Sequence, residues 1–146
     1  SSLKEHYPFS IIRDAEFIKW RYFDHPTKKY LIYTSHKIFH QTSAYAIVQI
    51  NDDTATIVDI LAMPDIGIIS SLVSKIKSDL LKTKIVKIQS WLPPQHFMTQ
   101  TLLNLGFLAK KEPLGLTIVG TTFSEKLPLE FVSKNLYFTM GDGDLY

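Results

Sequence analysis

The spacing of apolar residues changes along the chain, and each change marks a structural element. From Ile57 to Met63 nearly every residue is apolar, which is typical of a central strand covered on both faces. Two β-rich runs, SAYAIVQI and TATIVDILA, are joined by Asn51-Asp52-Asp53, and this pattern predicts a β-hairpin. The preceding run KYLIYTSHK predicts another strand, so the first half of the chain is expected to contain a three-stranded meander.

After a break at Met63-Pro64-Asp65 the apolar spacing becomes helical. Ile69, Val73, Ile76 and Leu80 follow one another at spacings of four, three and four residues, which places them on one face of a helix. The charged residues between and after them are Lys75, Lys77, Asp79 and Lys82. The pattern predicts a helix of about four turns that packs one face against the sheet.

Two further helices and one more strand are predicted on either side of this central part. RDAEFIKWRYFDHP has a wide apolar face and predicts a helix that Pro26 ends. KIVKIQSWL predicts a strand that ends at Pro93-Pro94. QHFMTQTLLNLGF predicts a short helix that ends at Gly106. Its apolar stripe consists of Met98, Leu102 and Leu105.

The last third of the chain predicts strands. FLAKKE and LGLTIVGTTF indicate an interrupted strand pair, and NLYFTM indicates a last strand before the terminal turn GDGDLY. A meander followed by a crossover helix implies a mixed sheet, antiparallel at first and parallel around that helix. The predicted fold class is α/β (α+β): a twisted mixed β-sheet flanked by helices on both faces.

Composition places the chain among ordinary globular domains. Its 146 residues fit one domain, with 45% hydrophobic and 21% charged residues and a net charge of +2. The sixteen Lys and Arg residues are spread along the sequence, so no nucleic-acid partner is expected. Cysteine is absent, which excludes disulfides and thiolate metal sites and agrees with a cytoplasmic location. The sequence contains no apolar run near 18 residues, so no membrane span is expected.

The order of elements and several local sequences together resemble the GNAT superfamily of N-acetyltransferases. The resemblance runs from about Arg13 to Asp144 and is carried by RDAEFIKWRYFDHPTKKYLIY, by the strand, loop and helix of Val58–Ile76, and by LLNLGF. The ending NLYFTMGDGD resembles GNAT-type domains from bacterial polysaccharide or surface-sugar gene clusters. The first strand and helix of the family have no counterpart. Residues 1–146 are therefore expected to be a single GNAT-like domain at the C-terminal end of a longer protein.

The resemblance implies acetyl-CoA as a co-substrate. In the family, the pyrophosphate binds a loop written [Gln or Arg]-x-x-Gly-x-[Gly or Ala]; here Gly67 takes the first glycine position. Pro64 replaces the Gln or Arg, and Ile69 puts a branched side chain at the second small position, so binding is expected to be weak, altered or lost. The implied cofactor-binding residues are Leu61, Ala62, Met63, Ile66, Gly67, Ile68, Ile69, Ser70 and Ser71.

Acetyl transfer to an amine requires a base, a polarised thioester carbonyl and an acid for the leaving thiolate. A backbone N–H near Leu61–Met63 is the implied polarising group. Asp59, the acid within the apolar strand, is the implied base, with a structural ion pair as the alternative. The family's tyrosine acid falls on Leu102, which cannot donate a proton. Tyr137 is the candidate substitute, with a core position as the alternative.

Other residue groups predict structure rather than chemistry. His36 and His40 are four residues apart without a third ligand nearby, which favours a surface role, and no metal site is expected. Trp20-Arg21-Tyr22 with His25 has the residue types of a sugar-stacking pocket. For Trp20 itself a core position is expected.

Two functions agree with these patterns. The first is an acyl-CoA-dependent N-acyltransferase, whose small-molecule amine acceptor would be an amino sugar or a surface-polysaccharide precursor. The second is a non-catalytic GNAT-like binding or docking module with a degenerate CoA loop. A sheet edge left open by the absent first strand favours pairing with an N-terminal domain of the same protein or with a second copy of the chain.

Overall fold

The apolar run around Val58 forms the central strand of a four-stranded mixed sheet. The computed structural model describes residues 3–36, 42–111 and 125–143. The strands are β1 (Tyr30–His36), β2 (Thr42–Asn51), β3 (Thr54–Ala62) and β4 (Lys87–Ser90), in the order β1-β2-β3-β4. The pairs β1–β2 and β2–β3 are antiparallel, and β3–β4 is parallel. The predicted α+β class, with its antiparallel-then-parallel sheet, is confirmed.

The β2–β3 hairpin contains a bulge that sets the direction of the β3 side chains. Ile47 pairs with Asp59 and Val48 pairs with Ile57, so Val58 is an extra residue on β3. Val58 consequently packs with Ile47 on one face of the sheet, while Ile57 belongs to the core cluster on the other face. Asp59 lies on the same face as Val58.

Helices cover both faces of the sheet. The crossover helix α2 (Ile66–Leu80) covers one face, and α1 (Ala15–Ile18), continued by a π-helical turn (Lys19–Phe23), covers the other. The other helices are α3 (Phe97–Asn104), α4 (Leu129–Asn135) and 3-10 helices at Leu3–His6 and Met140–Asp142. Within the described residues, no helix is long and apolar enough to cross a membrane.

The α2 side of the sheet holds the larger core cluster. The helix buries one stripe, consisting of Ile69, Leu72, Val73, Ile76 and Leu80. This stripe packs on apolar side chains of β2 and β3, such as Val48 and Ile60. The smaller cluster on the opposite face consists of Tyr22, Ile47, Val58 and Met140. The predicted packing of α2 is thus confirmed.

Three expectations from the sequence are wrong. NLYFTM is not a strand: Leu136 forms only an isolated bridge with Phe9, directly after α4. Residues 107–111 of the predicted strand FLAKKE have no regular structure, and its proposed partner LGLTIVGTTF lies outside the described residues. Trp20 is 67% exposed, whereas its neighbour Tyr22, 3% exposed, is the aromatic residue that anchors the helix in the core.

Candidate functional site

Strands β3 and β4 separate before Leu61–Met63, where the resemblance places the N–H that polarises the thioester of acetyl-CoA. They pair from Thr54–Lys87 to Ile57–Ser90 and no further among the described residues. Past Ile57, the β3 edge that faced β4 is left without a strand partner in the described ranges. Main-chain polar groups on such an edge need partners when they are buried. The Ile60 carbonyl and both the N–H and the carbonyl of Ala62 are hydrogen-bonded to tyrosine hydroxyls.

Side chains from two distant segments supply these partners. The Tyr7 hydroxyl donates to the Ala62 carbonyl oxygen at 2.7 Å and accepts from the Ala62 N–H at 3.0 Å. The Tyr137 hydroxyl donates to the Ile60 carbonyl oxygen. His96 completes the group, with its ring centroid 5.4 Å from that of Tyr7 and 4.4 Å from that of Tyr137. We call Tyr7, His96 and Tyr137 the aromatic plug.

The two tyrosines of the plug are fixed as neutral donors. Tyr7 and Tyr137 are buried, and burial raises the pKa of both hydroxyls above the ordinary value. Tyr137, the candidate acid, therefore directs its hydroxyl into a main-chain carbonyl and not into open space. Tyr137 therefore has the core position that was considered from the sequence as the alternative.

The start of α2 is also occupied by a group of the chain itself. Asp65 is the N-cap residue, and its Oδ1 accepts a hydrogen bond from the Ile68 N–H at 3.1 Å. The helix N-terminus, which attracts anions, thus already holds a carboxylate. Gly67 lies beside this cap, since a Cβ atom added to it would stand 3.2 Å from the same Oδ1.

The predicted cofactor residues lie at the end of β3 and in the first turns of α2, and several of them are buried or bonded within the chain. Leu61 and Ala62 are buried, and the Met63 N–H donates to the Ser43 carbonyl at 2.9 Å. The N–H that faces the gap, that of Ala62, is bonded to Tyr7. From the helix, Ile69 is fully buried in the core and Ile68 packs against it, whereas Ile66 and Ser71 are exposed and Ser70 is half-buried.

Asp59, the candidate base, is the centre of a buried polar network. Arg13 Nε donates to Asp59 Oδ1 at 3.0 Å and to Oδ2 at 3.1 Å. Tyr45 and Tyr22 donate to Oδ2 at 3.1 and 3.3 Å, and Thr139 donates to Oδ1 at 3.2 Å. All these groups are donors, which suits an ionised carboxylate that only accepts hydrogen bonds.

Arg13 connects this network to the end of the chain. Its Nη2 lies 2.5 Å from Asp142 Oδ2, and its side chain is 3% exposed. Burial lowers the pKa of Arg13, but the ion pairs with Asp59 and Asp142 outweigh it and raise that pKa above the ordinary value. Burial raises the pKa of Asp59, and the Arg13 charge opposes this rise. We call Arg13, Asp59 and Asp142 the ionic cluster.

The geometry gives Asp59 an ion-pair partner, Arg13. Both of its oxygens are bonded, and its side chain is fully buried. The ion pair considered from the sequence as the alternative for Asp59 is present. Asp59 and Tyr137 do lie in one region, since the Arg13 guanidinium carbon is 5.7 Å from the centre of the Tyr137 ring.

Sequence reasoning missed the residues that decide this site. Arg13 is 46 positions from Asp59 and Tyr7 is 55 positions from Ala62, so local pattern carries no signal for either contact. Asp65 is different, because an Asp immediately before a periodic apolar helix is a standard N-cap signal. That signal alone indicates that the helix start is capped by its own chain.

Metal ligands do not assemble in the described part of the chain. It contains no group of three or more His, Asp or Glu residues placed to hold an ion. His36 ends β1, and His40, its partner in the sequence spacing, lies outside the described residues.

Comparison of the chain with family models, with curated proteins and with solved structures finds no match. The inference of function therefore depends on the contacts described above. Three of them bear on it directly: the aromatic plug, the Asp65 cap and the ionic cluster.

Proposed function

We propose that this chain is a non-catalytic binding or docking module of the GNAT-like type, in which the chain's own side chains take the places of acetyl-CoA. One observation supports the proposal most directly. The Tyr7 hydroxyl is hydrogen-bonded to the N–H and the carbonyl of Ala62, and the Tyr137 hydroxyl is hydrogen-bonded to the carbonyl of Ile60. A pantetheine chain entering between β3 and β4 would have to displace both rings from a buried position.

The energetic cost of that displacement is large compared with a typical cofactor affinity. Exposing two buried aromatic side chains costs about 3 to 6 kcal/mol in lost hydrophobic burial. A micromolar ligand gains only about 8 kcal/mol on binding, so its dissociation constant would rise to between about 0.2 mM and tens of millimolar. The broken hydrogen bonds to Ile60 and Ala62 add to the cost.

Binding of the phosphate end of the cofactor is unfavourable as well. A pyrophosphate at the start of α2 would approach the Asp65 carboxylate, which already uses the Ile68 N–H. Like charges at this distance repel one another. Replacing the cap would leave Asp65 without its partner, so this end of the site supports the non-catalytic proposal independently of the aromatic plug.

An N-acyltransferase acting on an amine such as an amino sugar is the second candidate. It is favoured by the separation of the parallel strands β3 and β4 after Ile57, with α2 following β3 directly. This function would require the segment carrying Tyr7 to leave the gap and another residue to replace Asp59 as the base. We propose that the module is located in the cytoplasm. It is either part of a longer protein or one subunit of a homodimer.

Calorimetric titration of acetyl-CoA tests the choice between the two. We expect no binding heat up to about 1 mM ligand, corresponding to an affinity weaker than about 4 kcal/mol. The matched variant Gly67→Trp blocks the loop at the start of α2 and should behave like the unmodified chain. Saturable binding that Gly67→Trp abolishes would contradict the non-catalytic proposal and support the acyltransferase.

A further inference from the structure

Positive charge is concentrated in one part of the sequence. Between Ile66 and Lys111 the only acid is Asp79, and no arginine is present. The lysines of this stretch are Lys75, Lys77, Lys82, Lys84, Lys87, Lys110 and Lys111. The rest of the chain carries more acids than bases. The chain as a whole has an even spread of charge, but residues 66–111 form a strongly basic region.

Three of these lysines lie in the connection between α2 and β4: Lys82 and Lys84 are in the loop, and Lys87 begins β4. Leu81 and Val86 stand at the two ends of the loop and are 82% and 79% exposed, and the lysines between them are exposed as well. The Val86 N–H donates to the Asp53 carbonyl at 2.8 Å, which fixes the loop to the β2–β3 hairpin. We call residues 81–87 the basic apolar loop.

A shallow groove runs under this loop. It has a volume of about 190 Å³ and is lined by Lys77, Leu80, Leu81, Ile85, Val86, Lys87 and Ile88. This volume is below the roughly 300 Å³ at which small-molecule sites begin, so a soluble ligand is a poor fit. The Lys77 ammonium donates to the Leu105 carbonyl at 3.3 Å and lies 5.3 Å from the centre of the Phe107 ring. The start of segment 105–111, which carries Lys110 and Lys111 at its end, therefore lies beside α2.

The residue types distinguish between classes of partner. Protein interfaces favour arginine and aromatic side chains and are depleted of lysine, the opposite of this surface. Lysine is a compact point charge without the forked geometry that recognises a single carboxylate. Exposed aliphatic side chains flanked by lysines are instead typical of segments that lie at the surface of an anionic membrane.

We propose that the basic apolar loop binds a membrane surface that carries anionic lipid headgroups. Leu81 and Val86 enter the boundary between headgroups and acyl chains, and Lys82, Lys84 and Lys87 remain at the headgroups. Two acids lie beside the loop: Asp79, whose Oδ1 is 3.9 Å from Lys82 Nζ, and Asp53, whose main-chain carbonyl accepts from the Val86 N–H. This proposal goes beyond the docking function and does not depend on whether acetyl-CoA binds.

Vesicle flotation of the full chain tests the proposal. One set of vesicles contains phosphatidylcholine only, and the other contains about 30% phosphatidylglycerol, a typical anionic surface. We expect binding to the anionic vesicles alone and its loss at about 0.5 M salt, because lysine contacts with headgroups are screened. Each lysine at an anionic surface contributes roughly fivefold to partitioning, so Lys82→Glu/Lys84→Glu should weaken it by about 30-fold or more.

Two further variants make the result specific. Leu81→Ser/Val86→Ser should weaken partitioning at least about tenfold at unchanged charge, since buried aliphatic area contributes to membrane binding. The control Lys19→Glu/Lys29→Glu makes the same change in net charge at exposed positions elsewhere in the chain and should bind as the unmodified chain does. Circular dichroism verifies that all variants are folded.

Each remaining outcome overturns the proposal. Absence of flotation with anionic vesicles, or an equal effect of the Lys19→Glu/Lys29→Glu control, excludes a specific membrane-binding loop. A requirement for Lys82 and Lys84 without any requirement for Leu81 and Val86 would show attachment by charge alone and overturn the entry of these two side chains into the membrane. Binding of heparin without binding of vesicles would identify a soluble polyanion as the partner.

Discussion

At Gly141 the backbone passes too close to its neighbours for any side chain. A Cβ atom there would lie 2.0 Å from the Tyr22 hydroxyl oxygen and 3.1 Å from the Val58 carbonyl oxygen. The glycine thus allows the 3-10 helix Met140–Asp142, which carries Asp142 of the ionic cluster, to pack directly on β3. A close main-chain approach of this kind is a reason for glycine that does not depend on a left-handed φ angle.

Gly141→Ala should lower the free energy of unfolding by about 2 to 3 kcal/mol, because the added methyl group overpacks a buried contact. Tyr22→Phe removes the colliding oxygen, so the double variant should regain part of this loss relative to the two single variants. Urea denaturation of all four proteins provides the cycle. Additive losses would contradict the collision with Tyr22.

Gly67→Ala is the matched control for this experiment. Its Cβ atom would meet only the flexible carboxylate of Asp65, at 3.2 Å. Alanine is a better helix former than glycine, so the change in stability should stay within about 1 kcal/mol.

Individual residues were the least predictable level of this structure. Asp59 could be singled out because an acid inside an apolar strand is conspicuous in the sequence. Its partner Arg13 could not, because an arginine before a helix has no local feature that distinguishes it from a surface arginine. The identity of a buried partner is a property of the tertiary fold, and the sequence separation of 46 residues conceals it.

Among the elements, α3 begins with an unusual cap. The Nδ1 atom of His96 accepts a hydrogen bond from the Met98 N–H at 3.2 Å, which requires a ring nitrogen without a proton. Burial among aromatic rings lowers the pKa of His96 to about 4. The neutral imidazole is therefore both the cap of α3 and a member of the aromatic plug.

This cap makes stability dependent on pH in a defined window. The pKa of His96 falls from 6.5, the ordinary value that applies to the unfolded chain, to about 4 in the folded state, so the unfolded chain binds the proton first. The contribution of His96 to stability is complete above about pH 6.5 and is lost as the pH falls towards 4. Because the ring is only half-buried and partly screened by solvent, we expect a loss of about 2 kcal/mol. Denaturation of the unmodified chain and of His96→Asn at several pH values measures the difference.

Asparagine preserves the capping acceptor without titrating, so the pH slope of His96→Asn should be shallower between about pH 6.5 and 4. The carboxylates contribute equally to both proteins and cancel in the comparison. Identical slopes would show that His96 has the same proton affinity in the folded and unfolded chain.

Elements with a strong apolar period were predicted well, and those without one were not. The helix α2 buries one stripe and β3 is buried along nearly its whole length, and both the helical period and the continuous apolar run are visible in the sequence. No residue of α4 is buried, so this helix has no period to detect. NLYFTM has the composition of a strand, but its Tyr137 and Thr139 are directed to β3 by hydrogen bonds that the sequence does not reveal.

For the whole molecule, the ionic cluster joins both ends of the chain to the centre of the sheet. Arg13 precedes the first helix, Asp59 is on β3, and Asp142 is near the C-terminus. Thr139 reinforces the connection, because its hydroxyl donates to Asp59 and its main-chain N–H donates to Asp142. Stability of the β3 strand therefore depends on residues from three separate parts of the sequence.

Arg13→Met should destabilise the protein by about 3 to 5 kcal/mol, because it leaves two carboxylates buried without their counter-charge. Urea denaturation measures the loss. The control Lys134→Met breaks the exposed ion pair with Glu130, whose atoms are 2.8 Å apart, and should change stability by less than about 1 kcal/mol. Equal effects of the two variants would contradict a structural role for the cluster.

The class of the fold was predictable as a whole, but the content of its central gap was not. Strand order and crossover follow from rules of chain connectivity that act on recognisable elements. What fills the gap between β3 and β4 depends on Tyr7 and His96, one outside any predicted element and the other at the edge of one. The filling of this gap is a property of the tertiary fold and has no local signal in the sequence.

The sequence separation between Ile60 and Tyr137, which are in contact in the folded protein, has a consequence for synthesis of the protein. Tyr137 follows Ile60 by 77 residues, and Thr139 follows Asp59 by 80. At roughly 5 to 20 residues per second, a ribosome needs at least several seconds to make this stretch. During that interval the nascent β3 strand can already bond the Tyr7 hydroxyl, but it lacks the Tyr137 hydroxyl for the Ile60 carbonyl and the Thr139 donor for the Asp59 carboxylate. The hairpin must therefore wait for the last part of the chain before its centre is closed.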